Sequence, residues 1–204
     1  MRFWTRNLLL FLMSVPLASL AGAQALPTAT QPMQLSAFAG VTGEDVGLGG
    51  SQNKGATVGV DVGVRRFFGV QPALEVRGTY ASGGHIVADN KTAMIGVRAA
   101  RTFGRIEPYA DFLFGRGILD YGNGGFPNAN YTLLYTHSAG NIYSPGGGFN
   151  LRVTEHFGAK IDGQYQRFAT PVTAKKYIYV VPLTIGVVYN FDFNRHAKID
   201  KHMR

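Results

Sequence analysis

The chain has no cysteine, which removes disulfide frameworks, thiolate metal sites and thioether lipid anchors together. Beyond the first twenty-five residues no stretch sustains a helical period, and 27 glycines with ten tyrosines and 14 phenylalanines make a poor composition for helices. The net charge of +8 is not gathered into a basic run with interleaved aromatics, so nucleic-acid binding is not implied. His, Asp and Glu show no metal-ligand spacing, and no cofactor is expected. The stretch GLGGSQNKGAT carries Lys54-Gly55 in the order opposite to a phosphate loop and leads into a strand, not a helix.

What is present begins with MRFWTRNLLLFLMSVPLASLAGAQA, which reads as a cleaved signal peptide over residues 1–25: Arg2 and Arg6, an apolar run from Leu8, then small residues. A linker over 26–32 follows, then a domain over 33–193 and a basic tail over 194–204. Within the domain, alternating segments recur at 34–42, 56–67, 73–80, 92–102, 106–117, 144–153, 157–168 and 177–191. An even number of roughly ten-residue segments suits a closed antiparallel barrel whose tilted strands cross a bilayer. The connections sort by length. Those over 43–55, 81–91, 116–143 and 169–176 are long or polar, whereas FGVQP, FGR and TEH are short. Long loops on one rim and tight turns on the other place both termini on the periplasmic side.

Alternation alone does not say which face is inside. In ATVGVDVGVRRFF, Val58, Val60, Val62 and Val64 oppose Gly59, Asp61, Gly63 and Arg65. Across the strands the polar face collects Arg65, Arg77, Arg98, Arg152 and Lys160 against Asp61, Glu75, Glu107, Asp111 and Asp162. A near-neutral sum suits a narrow lumen, where an unpaired charge costs several kcal/mol. Glycines share that face, where they make room for long side chains from neighbouring strands. Phe67, Phe68, Phe103, Phe157, Tyr189, Phe191 and Phe193 fall at the short-turn ends, and Tyr80, Tyr143, Tyr165, Phe168, Tyr177 and Tyr179 at the long-loop ends. Two aromatic rings are what two lipid–water interfaces select. The valines therefore face lipid, the ten charged residues form a structural lumen network, and Phe38 is a misfit on an otherwise small polar face.

These features, with QLSAFAGVT as opening strand, RIEPYADFLFGRG as fifth, PGGGFNLRVTEHFGAKIDGQYQR as sixth strand, turn and seventh, and TIGVVYNFDF as closing strand, resemble the small outer-membrane β-barrel domain family, similar to the eight-stranded barrel of outer membrane protein A. The resemblance implies an all-β, eight-stranded up-and-down transmembrane barrel, monomeric, in contact with outer-membrane lipid and with the outer-membrane insertion machinery during assembly. One departure stands out: the family ends at an aromatic residue, yet NRHAKIDKHMR follows Phe193.

A barrel enzyme needs a nucleophile or acid/base set near a rim. His85 lies in a glycine-rich loop, His156 in a short turn, and His196 and His202 in the tail; only His137 beside Ser138 offers a pair. Neighbours in sequence rarely share a reaction geometry, so the expectation is a non-catalytic protein with either a structural role in the envelope or a surface-contact or adhesion role through its extracellular loops. The segment RGILDYGNGGFPNANYTLLYTHSAGNIY, opening at Arg116 and closing at Tyr143, is the surface on which an extracellular partner would be met. A narrow small-solute pore, an outer-membrane enzyme and a soluble periplasmic lipocalin-like carrier stay open as alternatives.

Overall fold

Strict alternation of β-branched and aromatic residues with small or polar ones produces strands that hydrogen-bond edge to edge until the sheet closes. The computed structural model describes residues 34–49, 52–82, 88–122 and 124–191. The expected signal peptide, linker and basic tail lie outside these residues, as do His85, His196, His202 and Phe193. The elements are β1 (Gln34–Asp45), β2 (Gln52–Gly63), β3 (Val70–Ser82), β4 (Ala88–Arg101), β5 (Ile106–Tyr121), β6 (Phe126–Pro127), β7 (Leu134–Tyr135), β8 (His137–Arg152), β9 (Phe157–Gln164), β10 (Gln166–Ala169) and β11 (Tyr177–Phe191).

β9 and β10 are one barrel strand interrupted at Tyr165. The Tyr165 N–H donates to the Pro145 carbonyl at 2.9 Å, but proline has no N–H to return the bond. The register runs through the break, with Gly146 opposite Gln164 and Tyr143 opposite Arg167. The barrel therefore has eight antiparallel strands, β1-β2-β3-β4-β5-β8-β9/β10-β11, closed where β11 pairs with β1 from Phe191↔Leu35 to Val181↔Asp45. Partners traced once around from Gln34, through Gly63, Ala73, Arg98, Asp111, Gly146 and Gln164, return to β1 at Glu44, ten residues further on. With eight strands that shift tilts them by about 40°.

One rim carries tight turns. Phe67 and Val70 exchange both backbone bonds across Phe68 and Gly69, whose φ values of 51° and 81° are those of a two-residue hairpin turn. The other rim is taller than the alternation suggested. β1 and β2 continue to Asp45 and from Gln52, and β5 and β8 stay paired up to Asp120↔His137. Much of the expected loop from Arg116 to Tyr143 is therefore wall, because Gly117, Leu119 and Tyr121, and Ser138, Gly140 and Ile142, keep the inward parity through residues that read as loop. Between them β6 and β7 form a separate small hairpin.

The valines of β2 face outward, with Val58 and Val60 exposed, in a belt that continues through Leu74, Val97, Phe112, Phe149, Ile161 and Ile185. Tyr80, Tyr143, Tyr165 and Tyr179 ring the tall rim, and Phe67, Phe103, Phe157 and Phe191 ring the short one, all exposed. Phe168 does not belong to the outer ring. It shares the parity of Gln164 and Gln166 and is fully buried in the interior.

Candidate functional site

The interior is filled in two zones. The zone nearer the short turns holds the charged residues. Arg77 on β3 reaches across to Asp162 on β9 through Nη1 and Nη2 at 2.6 and 3.1 Å and donates from Nε to Glu75 at 2.6 Å. The Tyr109 hydroxyl donates to Asp162 at 2.7 Å. Gln164 donates to both oxygens of Asp111 at 2.9 and 3.1 Å while accepting from Ser144 at 2.7 Å. Arg98 pairs with Asp61 at 2.8 Å and Glu107 at 3.1 Å, and its guanidinium lies 4.0 Å from the Tyr109 ring centre. Such networks are strong where each charge is met by donors of fixed geometry.

Seven of the ten charged residues expected on the inner face are buried there: Asp61, Glu75, Arg77, Arg98, Asp111, Lys160 and Asp162. Glu107 is half-buried at the short-turn mouth. Arg65 does not follow the expectation: it lies past the end of β2, where alternation no longer dictates facing, and is exposed. Arg152, at the end of β8, lines the short-turn mouth with Glu107 and Asn150 but is exposed there, outside the enclosed interior. The five-against-five balance is therefore not what the barrel encloses. Arg77, Arg98 and Lys160 stand against Asp61, Glu75, Glu107, Asp111 and Asp162, and Glu44 is a further buried carboxylate near the tall rim. Amides help to meet this excess: Asn53 and Asn90 each donate to Glu44 at 3.0 Å.

Phe38, the misfit of the sequence, has a specific neighbour. The Lys160 ammonium sits 3.8 Å from the Phe38 ring centre and 4.7 Å from that of Tyr109, and among the described residues Nζ has no hydrogen-bond partner. The buried lysine is held by two aromatic faces, an attraction that strengthens when water is excluded. Gly59 makes the space, since a Cβ there would stand 2.4 Å from the Phe38 ring.

Above the charges a row of inward threonines crosses four strands, Thr184 to Thr42 at 2.8 Å, Thr42 to Thr57 at 2.6 Å and Thr57 to Thr79 at 2.9 Å. Beyond it the filling turns apolar. Met94, Leu113, Ile142, Phe168 and Val180 pack with Leu119, Ile178 and Val46 towards the tall rim. The alternation did not identify this plug: Val46, Leu119 and Ile142 fall in segments that read as loops and Phe168 among the expected interface aromatics, so a lumen read only from its charges hides it.

The histidines do not assemble a reaction centre among the described residues. Ser138 points inward, hydrogen-bonded to the Tyr121 hydroxyl at 2.7 Å and Thr170 at 3.1 Å. His137, its neighbour on β8, points the other way and is exposed. Consecutive strand residues face opposite sides, so this pair cannot act together. His156 stacks on Tyr189 at the short-turn rim, with ring centres 6.0 Å apart.

The β6–β7 hairpin is tied by one side chain. Asn128 Oδ1 accepts from the backbone N–H groups of Thr132 and Leu133 at 2.8 and 3.3 Å, and Nδ2 donates to the Thr132 hydroxyl at 2.9 Å. The turn so fixed exposes Tyr131, Leu133 and Leu134 at 84, 60 and 69 %. Beside it lies an open groove of about 620 Å³ against Thr170, Pro171, Thr173 and Lys176 of the β10–β11 connection.

No family model and no curated protein matches the sequence. Solved structures do match. Neisserial surface protein A aligns with 78 % of this chain and 97 % of its own at 19 % identity and a TM-score of 0.51. Ail, the attachment invasion locus protein of Yersinia pestis, aligns with 78 % of this chain and 99 % of its own at 13 % identity and a TM-score of 0.48. OprG from Pseudomonas aeruginosa aligns with 79 % and 97 % at 13 % identity and a TM-score of 0.43. The likeness is one of fold: the chain has the closed eight-stranded antiparallel barrel fold of small outer-membrane proteins.

Proposed function

We propose that this chain, built on the eight-stranded outer-membrane barrel fold, is a non-catalytic protein of a bacterial outer membrane whose tall rim faces outward and mediates surface contact or adhesion. The observation that carries the surface role is the Asn128-tied hairpin, which holds Tyr131, Leu133 and Leu134 out in solvent. Exposed apolar side chains on an ordered turn cost little ordering entropy when a partner covers them, which is how rigid aromatic anchors contribute to binding. The open groove beside the turn extends the same surface. The filled interior beneath favours contact over transport, because charge pairs and an apolar plug lie in series along the axis.

The test displays the protein on bacterial cells and measures their adherence to epithelial monolayers. Replacing Tyr131, Leu133 and Leu134 together with serine is expected to lower adherence about tenfold at equal surface level, a loss typical of anchor residues. Adherence equal to that of the unsubstituted protein would remove the surface role.

A further inference from the structure

Four outward-facing cations gather near the tall rim. Lys54 on β2, Lys91 on β4, Arg116 on β5 and Arg167 on β10 all have the parity of the lipid-facing belt; Lys54, Arg116 and Arg167 are exposed and Lys91 is half-buried. Their places follow from the register. At about 3.3 Å per residue and 4.8 Å between strands, the ten-residue shift brings their Cα atoms to within about 2 Å of one level, roughly 25 Å above Ile106 and Phe191. That span is the height of the apolar band of a membrane barrel. Tyr80, Tyr143 and Tyr165 lie a few ångströms lower by the same geometry, so the cations stand where lipid headgroups begin.

Their pairing is incomplete. Lys91 is engaged by Asp120 at 2.6 Å and lies 5.5 Å from the Tyr80 ring centre. Arg167 lies over Tyr177 at 4.3 Å. Among the described residues, Arg116 and Lys54 have no hydrogen-bond or ion-pair partner. A second observation localises the site. Between Lys91 and Arg116 the outer wall carries a trough of about 400 Å³. Its floor is Ala93, which pairs with Arg116 on one side and Gly78 on the other. A Cβ on Gly78 would meet nothing nearer than a carbonyl at 3.7 Å, so below the cations the wall stays low enough to seat an acyl chain.

The geometry points to a binding site for an anionic, phosphate-bearing lipid of the outer leaflet, its phosphate in the trough between Arg116 and Lys91 and an acyl chain leaving it over Ala93 and the neighbouring Gly78. Arginine suits the phosphate because its planar fork donates two bonds at once. Asp120 keeps Lys91 in place and narrows selection to ligands that outbid one carboxylate. The site rests on the reading that the barrel crosses a membrane.

Native mass spectrometry of the mature barrel released from vesicles tests it. The vesicles are phosphatidylcholine with roughly one part in ten phosphatidic acid of the same chains, so that only headgroup charge differs. Expected is retention of phosphatidic acid about tenfold above its share, lost in the K91Q/R116Q double variant. Ala93→Phe, which fills the trough and leaves every charge, is expected to lose it too. Folding of each variant is checked by compact migration of the unboiled protein in detergent gels. Retention in proportion to vesicle composition, or selection undiminished in both variants, would overturn the site. Loss of the retained phosphatidic acid to an equal concentration of added inorganic phosphate would make it a free-anion site and overturn the lipid assignment. A barrel that stays in the aqueous phase would remove the membrane reading, and this site with it, whereas a barrel that inserts without selecting removes the site alone.

Discussion

Arg77 and Asp162 join β3 to β9 from opposite sides of the barrel through two hydrogen bonds, with both side chains almost wholly buried. The pair braces the lumen across its diameter, and Glu75 and Tyr109 complete the coordination of the two groups. Removing one partner of such a pair leaves the others charged and uncompensated. Arg77→Met is therefore expected to cost about 3–5 kcal/mol. Arg77→Lys, which keeps the charge and loses the fork, should cost less. Urea midpoints of the refolded barrel in detergent give the comparison; equal midpoints for Arg77→Met and the parent would show that the brace contributes nothing.

Phe38, Gly59 and Lys160 form one packing unit. Phe38→Leu removes an aromatic face from a buried ammonium that has no hydrogen bond among the described residues, at an expected cost of about 2 kcal/mol or more. Gly59→Val drives two methyl groups into the Phe38 ring and should lower the yield of folded barrel. Combining it with Phe38→Ala should recover part of that yield, since the clash and the ring disappear together. A double variant no better folded than Gly59→Val would place the strain elsewhere, for instance at the Val76 carbonyl, which a Cβ would approach to 2.7 Å.

These two units also mark how far the chain could be read before its fold was known. Inward facing of Asp61, Glu75, Arg77 and Asp162 was legible because parity within a strand is a local property. That Arg77 meets Asp162 was not, because the contact depends on the shift accumulated over four strand pairings. Arg65 was misplaced since nothing in GVRRFF marks where the ladder stops and the turn begins. Phe168 matches an interface aromatic by residue type, whereas its parity with Gln164 and Gln166 puts it inside. The apolar plug went unseen for a related reason: β11 is apolar on both faces, so Ile178 and Val180 do not announce which side is the interior.

The plug and the charge layer close the lumen independently. Phe168→Ala removes a fully buried ring and is expected to cost about 3–5 kcal/mol. It should not open a path, because Arg77 and Arg98 still bridge the lumen below. Planar bilayers containing the parent, Phe168→Ala or Arg98→Gln are each expected to stay silent. Steady ohmic steps from the parent would instead favour a small-solute pore.

Asn128 separates local order from global stability. Asn128→Ala deletes three hydrogen bonds that fix the β6–β7 turn and touches no barrel wall. Unfolding of the barrel should shift by less than about 0.5 kcal/mol, as for surface changes outside the cooperative core. Amide exchange over residues 126–135 should accelerate strongly, and adherence should fall with it because the apolar tip is no longer held in one shape. Unchanged exchange would mean that the Asn128–Leu133 backbone bond of 2.9 Å suffices to hold the turn.

Val97 decides what solvent the outer face meets. Its side chain is 63 % exposed at mid-height on β4, between Leu74 and Phe112 of the neighbouring strands. On a soluble carrier Val97→Arg would be close to neutral, since surface substitutions mostly stay within about 0.5 kcal/mol. On a barrel spanning a bilayer the same change at the midplane is expected to cost about 2–4 kcal/mol. Lys54→Arg at the tall rim, where depth penalties vanish, is the matched control. Folding both variants into lipid vesicles and reading urea midpoints separates the two cases. A Val97→Arg barrel as stable as the Lys54→Arg control would place water against the valines and overturn the membrane-spanning reading.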